Sequence, residues 1–288
     1  MLKMIYLIVP KENRGKNMKW KELNTIEFKE FKKESRGVAI IPYGCLEKHG
    51  YHLPLGTDMY ISEAVAVAAA EKEPALVVPA APYGVISEAQ HKEGCLSISS
   101  KLQYAILEEL CDELARNGYD KIIVVNGHGG NCAFLKYFCQ SRLEREHPYV
   151  VYTYDVFYQS PEQTKTYLDK FGQYDDGGHA DLFETSQMMV IREDLVHMKN
   201  VLDSPLQYGV YPREHEYLDK GLFTAIWWYS KYPEHFAGNP VGSNTEKGKY
   251  IFDSCVDNLA NIIKFIKENK EIDDLMVEFY GKRGKPEI

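Results

Sequence analysis

Lys121-Ile-Ile-Val-Val-Asn126-Gly-His128-Gly-Gly-Asn131 sets an unbroken apolar run against a glycine-rich turn. A run apolar at every position, rather than at alternate ones, predicts a strand covered on both faces. A helical pattern follows, from Cys132 to Glu146. Three further runs read the same way: Gly37-Val-Ala-Ile-Ile-Pro42, Ala75-Leu-Val-Val-Pro79 and Tyr149-Val-Val-Tyr-Thr-Tyr154. Helical patterns lie between them, from Ser62 to Glu71 and from Leu102 to Asn117. In the second, Leu102, Ala105, Ile106, Leu110 and Leu114 make the expected buried stripe, and Asn117-Gly118 the stop. Strand alternating with helix predicts an α/β fold. The expected architecture is three layers, a mostly parallel central sheet flanked by helices and built from right-handed units.

Beyond Tyr154 the pattern loosens. Ala180 to Ile191 reads as helix, and so does Lys247 to Glu268, with Ile251, Cys255, Leu259, Ile262, Ile263 and Ile266 near one face. Pro205 to Pro240 is rich in Tyr, Trp, Gly and Pro and shows no period. The expected organisation is one domain over residues 20–269 with an irregular insertion at 205–240. An N-terminal extension, 1–19, precedes it, and a charged peripheral tail, 270–288, follows. Met18 is a candidate initiator within that extension.

The 288 residues carry a net charge of −8, which argues against a nucleic acid partner, since phosphate binding needs clustered cations. No stretch approaches the ~20 apolar residues of a membrane span, and the apolar core of the opening segment is shorter than a signal sequence needs. The six cysteines are scattered, with no C-x-x-C pair, and read as free thiols in a reducing, cytoplasmic setting.

Three polar clusters carry the chemistry. The first follows the first strand and holds Glu47, His49, His52 and Asp58 among glycines and prolines. Open α/β sheets bind ligands at the carboxyl ends of their strands. Mixed nitrogen and oxygen donors suit Zn, Mn or Fe and argue against a calcium site; a solvated loop of ordinary charges is the bland alternative. The second cluster is the turn around His128, with Gly129, Gly130 and Asn131 at a helix start, where backbone N–H groups favour an anion or oxyanion. No Lys follows these glycines, so the phosphate-loop pattern is absent, and the dinucleotide fingerprint is not met either. The third is Gly177-Gly178-His179-Ala-Asp181-Leu-Phe-Glu184-Thr-Ser186 at a helix start. Its acids suit a first helical turn, and His179 suits a base.

Together these clusters resemble the creatininase (creatinine amidohydrolase) family. Gly44 to Asp58 matches its Gly-x-x-Glu-x-His-Gly-x-His-Leu-Pro-x-x-Thr-Asp signature. The turn at His128 matches Asn-Gly-His-Gly-Gly-Asn, and His179 to Ser186 matches His-Ala-x-x-x-Glu-Thr-Ser. Phe236-Ala-Gly-Asn-Pro240 and Glu246-Lys-Gly248 add a fourth match, so the resemblance runs from about Trp20 to about Ile266. It implies two divalent metal ions per subunit, held by Glu47, His49, Asp58 and His128, with Asp58 bridging and Glu184 as a further ligand. It implies that metal-bound hydroxide attacks a small amide, cyclic amides included. The oxyanion would rest on a metal and on the loop Gly129, Gly130, Asn131, and His179 would protonate the leaving nitrogen, so His179 and Glu184 are the catalytic candidates. It also implies a homo-oligomer, a hexamer.

Departures point away from creatinine itself. Gly130 stands where creatininase has a metal-binding Glu. Its framing tryptophans have no counterpart near His179, Glu93-Gly94-Cys95 replaces Pro-Gly-Thr, and Asp181 replaces a glycine. The reading is therefore an amidohydrolase acting on C–N bonds other than peptide bonds. A deformylase of a nucleotide-derived formamide, a peptide-trimming enzyme and a non-enzymatic metal-stabilised scaffold stand as alternatives. His52 is expected to brace its loop, and His147, His197 and His215 to lie at the surface; His91 and His235 read as surface residues or as the lining of a pocket. Trp227-Trp228-Tyr229 reads equally as a cavity wall or a subunit contact. Thr57 and Ser186 lack the G-x-S-x-G setting of a serine hydrolase.

Overall fold

A computed structural model describes residues 18–172, 178–201 and 220–284. Gly177, His215, most of the N-terminal extension, the first part of the insertion and the last four residues of the tail lie outside them. Four strands, β1 (Val38–Tyr43), β2 (Leu76–Val77), β3 (Lys121–Asn126) and β4 (Val150–Asp155), form one parallel sheet in the order β2-β1-β3-β4. Every residue of β1 is buried, as is every residue of β3 after Lys121. This is the double coverage that the unbroken apolar runs demand.

The described helices are α1 (Thr25–Ser35), α2 (Thr57–Lys72), α3 (Ser100–Arg116), α4 (Asn131–Ser141), α5 (Pro161–Phe171), α6 (Leu182–Ile191), α7 (Trp227–Lys231), α8 (Thr245–Glu268) and α9 (Glu271–Arg283). The chain leaves β1 for β2 on one side, crosses back to β3 and continues outward to β4. Right-handed crossovers then place α2 on one face of the sheet and α3 and α4 on the other. Contacts agree: α2 packs with α6 and α8, while Arg142, just after α4, bonds Glu108 of α3 at 2.7 Å. The path out of β1 and the path out of β3 diverge between neighbouring strands, which opens a crevice at their carboxyl ends. Tyr43 pairs with Asn126, so both strands end level and their loops start side by side.

Two helices escape the periodicity argument. α1 buries only Phe31 and Ser35, and α5 buries only Tyr167, so neither has a readable apolar stripe. Their legible signal is local: Asn24 with Glu27, and Ser160 with Gln163, are capping boxes. The buried face of α3 is Gln103, Leu107, Cys111 and Leu114, not the expected stripe; Leu102 is half exposed. Gln103 shifts the face by tying the 84–98 loop, its amide donating to the carbonyls of Gly84 and Ile98 at 3.1 and 2.9 Å. The helix predicted to reach Glu146 stops at Ser141 and passes into a 3₁₀ turn. Met18 is packed, and its carbonyl accepts from Val77 N–H at 2.8 Å. Lys267, beside the tail, is buried and bonds Glu73 at 2.5 Å. α9, in the tail itself, buries nothing.

α6 and α8 meet at Gly248. A Cβ there would lie 1.8 Å from the Ser186 carbonyl oxygen. Gly248→Ala therefore has to force two helices apart. Overpacking costs up to about 3 kcal/mol, against ~1 kcal/mol returned by helix propensity. Urea unfolding is expected to show a net loss of about 2 kcal/mol; a variant as stable as the parent would mean that this contact yields freely.

Candidate active site

The loop leaving β1 carries Glu47 and His49, and the turn leaving β3 carries His128. Asp58, expected in the loop, lies in the first turn of α2, where the helix N-terminus favours its charge. Gly127 permits this meeting, because a Cβ on it would come within 2.3 Å of the Asp58 carbonyl oxygen. His179 and Glu184 arrive from the start of α6. Asp181 caps that helix, accepting from Phe183 and Glu184 N–H at 2.9 and 3.1 Å. His179 N–H donates to the Ala237 carbonyl at 2.5 Å, which ties the third sequence cluster to the fourth.

The side chains converge in a chain of short contacts. Glu47 Oε1 is 2.7 Å from His128 Nδ1, which is 3.1 Å from Asp58 Oδ2. The other oxygen, Asp58 Oδ1, is 2.9 Å from His49 Nε2, which is 3.6 Å from Glu184 Oε2. Asp58 thus turns one oxygen to each imidazole. Donors about 2.1 Å from a tetrahedral ion lie about 3.4 Å apart, and these separations bracket that spacing. Among the described residues, three groups have every donor atom within 4.8 Å of the others: Cys45, Glu47, Asp58 and His128; His49, His179 and Glu184; and Glu47, His179 and His235.

Backbone carbonyls fix the rings. His128 Nε2 faces the Val85 carbonyl at 2.7 Å, and His49 Nδ1 faces the Glu47 carbonyl at 3.2 Å. A carbonyl only accepts, so each ring holds a hydrogen there and turns its other nitrogen on the carboxylates. Imidazoles that ligate metals are oriented in this way. Glu47 Oε1, His49 Nε2 and Asp58 Oδ1 are buried without a hydrogen-bond partner. Leaving such atoms orphaned is costly, and a divalent cation would satisfy all three, so the donor set fits one.

The same crowding sets the electrostatics. Burial alone would push the His128 and His49 imidazoles down, but Glu47 and Asp58 for the first, and Asp58 and Glu184 for the second, hold them well above the usual range. Burial would raise Glu47, yet His128 and His179 hold it well below. Burial, then Glu47 and Asp58, push the Cys45 thiol well up. It keeps its hydrogen and donates to Asp58 Oδ2 at 3.1 Å.

The site floors a cavity of about 400 Å³ walled by Phe157, Phe183, Trp227 and Trp228, with Glu88 also lining it. No Lys or Arg lines it among the described residues. Gly129 and Gly130 line it too. Asn131 is spent on bracing: it accepts from Val85 N–H at 2.7 Å and donates to Asn126 at 3.1 Å. Gly130 cannot carry a larger side chain in this geometry, since a Cβ would fall 2.5 Å from His128 Nε2 and 2.6 Å from the Val85 carbonyl.

One reading left open by the sequence is decided and one expectation is corrected. His235, read as surface or pocket lining, is buried and lines the cavity, and its Nε2 bonds Glu47 Oε2. Burial pushes its imidazole down to about 4, against the pull of Glu47. A tryptophan does stand near His179, where none was expected: the Trp228 ring, from the insertion, is edge-on to it, 6.0 Å between centroids. The sequence offered Trp227-Trp228-Tyr229 as a cavity wall and His235 beside the Phe236–Pro240 motif, but not the partners that they meet. His52 does brace its loop, bonding Thr185 Oγ1 at 2.9 Å. His91 is exposed but bonds the Pro233 carbonyl at 2.8 Å, His197 is exposed and His147 half-buried.

A family model for creatininase, described as creatinine amidohydrolase, matches residues 21–263. The chain is 28% identical over 244 residues to the creatinine amidohydrolase of Pseudomonas putida, spanning 79% of this chain and 88% of that one. A mycofactocin precursor peptide peptidase of Mycolicibacterium smegmatis is 38% identical over 107 residues, 34% of this chain and 42% of its own. A 2-amino-5-formylamino-6-ribosylaminopyrimidin-4(3H)-one 5'-monophosphate deformylase of Methanococcus maripaludis is 30% identical over 106 residues, 35% of this chain and 45% of its own. Among solved structures, a mutant creatininase of Zn-Zn type superposes with a TM-score of 0.69 at 25% identity, covering 86% of this chain and 98% of that one.

Proposed function

We propose, for a chain that belongs to the creatininase family, that it is an amidohydrolase using two divalent metal ions per subunit to cleave a C–N bond, other than a peptide bond, in a small amide. The carrying observation is three buried atoms without a hydrogen-bond partner, Glu47 Oε1, His49 Nε2 and Asp58 Oδ1, in a cluster whose Glu47, His128, His179 and Glu184 line a cavity. Glu47, His49, Asp58, His128 and Glu184 would hold the ions, with Asp58 shared. A pair of divalent ions there would polarise the amide carbonyl and activate water. The aromatic walls exclude bulk water and hold the apolar part of the substrate flat. Gly129 and Gly130 line the cavity, where their backbone N–H groups would serve a developing negative oxygen. His179 keeps a hydrogen on Nε2 through the Lys48 carbonyl at 2.7 Å, so Nδ1 is the atom that takes and returns the proton.

The cavity lining favours a small amide over the alternatives. A nucleotide-derived formamide brings a phosphate, and the lining offers it no Lys or Arg among the described residues. A scaffold needs no catalytic histidine beside a complete ligand set. The proposed protein is a cytoplasmic homo-oligomer, a hexamer, whose functional unit is the single domain 20–269 with its insertion.

The test is metal content per subunit by mass spectrometry, followed by an amide panel with that metal. About two divalent ions and amine release from an uncharged or cationic amide are expected. A phosphate-bearing formamide should turn over at less than ~1% of the best amide's kcat/KM, a gap of about 3 kcal/mol. No ion bound after reconstitution with Zn, Mn and Fe would overturn the reading.

A further inference from the structure

His235 completes a third group of donor atoms within 4.8 Å, with Glu47 and His179. Hydrogen positions decide whether it is an ion site. The Trp228 indole N–H can only donate, and it lies 2.9 Å from His235 Nδ1. That nitrogen is therefore an acceptor, and the ring's hydrogen sits on Nε2, which faces Glu47 Oε2. A nitrogen holding a hydrogen has no lone pair for a metal. His179 Nε2 is likewise given to the Lys48 carbonyl.

We infer that His235 is a positioning residue: it takes Glu47 Oε2 out of play, so that Glu47 presents Oε1 alone to the ions, and Trp228 sets the His235 tautomer that makes this possible. The inference rests on the metal-hydrolase reading above. It also links the cavity wall to the ion site, because Trp228 is both a lining residue and the end of the relay.

The backbone around His235 is built for this. His235 itself has φ +53°, a left-handed conformation that is unfavourable for a residue with a side chain. The neighbours over-determine it. Glu234 is clamped by Lys92 Nζ at 2.7 Å, and Lys48 Nζ donates to its carbonyl at 2.9 Å. His91 holds the Pro233 carbonyl, and His235 N–H donates to the Tyr232 carbonyl at 2.9 Å. Lys48 lies in the ligand loop itself, between Glu47 and His49, so the segment carrying the relay is pinned to the loop that it orients.

The experiment measures Zn affinity by chelator competition, and the Co(II) absorption spectrum, for the wild type, Trp228→Phe, His235→Ala, His235→Gln and the Trp228→Phe/His235→Ala double variant. Losing a residue that orients a ligand costs about 10–100-fold in affinity. His235→Ala is expected in that range, with the number of ions at saturation unchanged. Trp228→Phe keeps the aromatic wall and loses only the N–H, so a loss of about 10-fold is expected. His235→Gln can still donate to Glu47 and should recover part of the loss. The double variant should be no worse than His235→Ala, since Trp228 acts through His235. Wild-type affinity in both single variants would overturn the relay. So would loss of one whole ion in His235→Ala with a Co(II) spectrum short of one nitrogen, because His235 would then be a ligand. A wild type that binds no ion fails the metal reading itself, and the inference falls with it; melting curves with chelator identify any variant that merely misfolds.

Discussion

Asp58→Asn is expected to empty the site of both ions and to lower kcat/KM by at least ~10³-fold, about 4 kcal/mol of transition-state stabilisation. Asp58 is buried, and its two oxygens face different imidazoles, Oδ2 toward His128 at 3.1 Å and Oδ1 toward His49 at 2.9 Å. Asparagine keeps the shape but removes the charge and replaces one oxygen with an N–H₂. Whichever way the amide turns, a donor replaces an acceptor on one side. The effect should therefore reach both ion positions. Loss at His128→Ala should be confined to one of them. Native mass spectrometry counts the ions, and circular dichroism checks the fold. An Asp58→Asn variant holding both ions at wild-type affinity would remove Asp58 from the bridging role.

His179→Ala is expected to keep its ions and lose turnover, by about 10²–10⁴-fold. His179 sits over the site: its ring centroid is 4.3 Å from that of His49 and 4.5 Å from that of His235. It is buried and engaged through Nε2 with a carbonyl. Its loss removes the proton carrier while leaving Glu47, Asp58 and His128 in contact. Metal content with single-turnover kinetics separates this from a ligand's loss. If both ions depart with His179, the group it forms with His49 and Glu184 is an ion site, and the proton has to move by another residue.

The strands were legible because short apolar runs bounded by turns mark them; β1 and β3 are covered on both faces as such runs demand, whereas β4 buries only Tyr154 and is otherwise half-buried. Glu47, His49 and His128 stood out because each follows a strand end, where the α/β topology gathers polar groups; the proposal that they and Asp58 hold metal rests on the resemblance. Glu184 and His179 followed from the resemblance, not from spacing. What lay beyond the sequence was contact between segments distant along the chain. Glu47 and His235 are 188 residues apart, and nothing near either one announces the other. Trp228 reaches His179 only because the insertion folds back onto the loops after β1 and β2, through Lys48, His91 and Lys92. The buried face of α3 was displaced by one polar residue, Gln103, whose partners lie on another loop. Local periodicity and turn chemistry are written into neighbouring residues, so the sequence by itself determined the sheet and the strand-end donors. Which donors lie together, which ring nitrogen carries the hydrogen and which aromatic walls the cavity depend on packing between remote segments, and only the tertiary structure decided them.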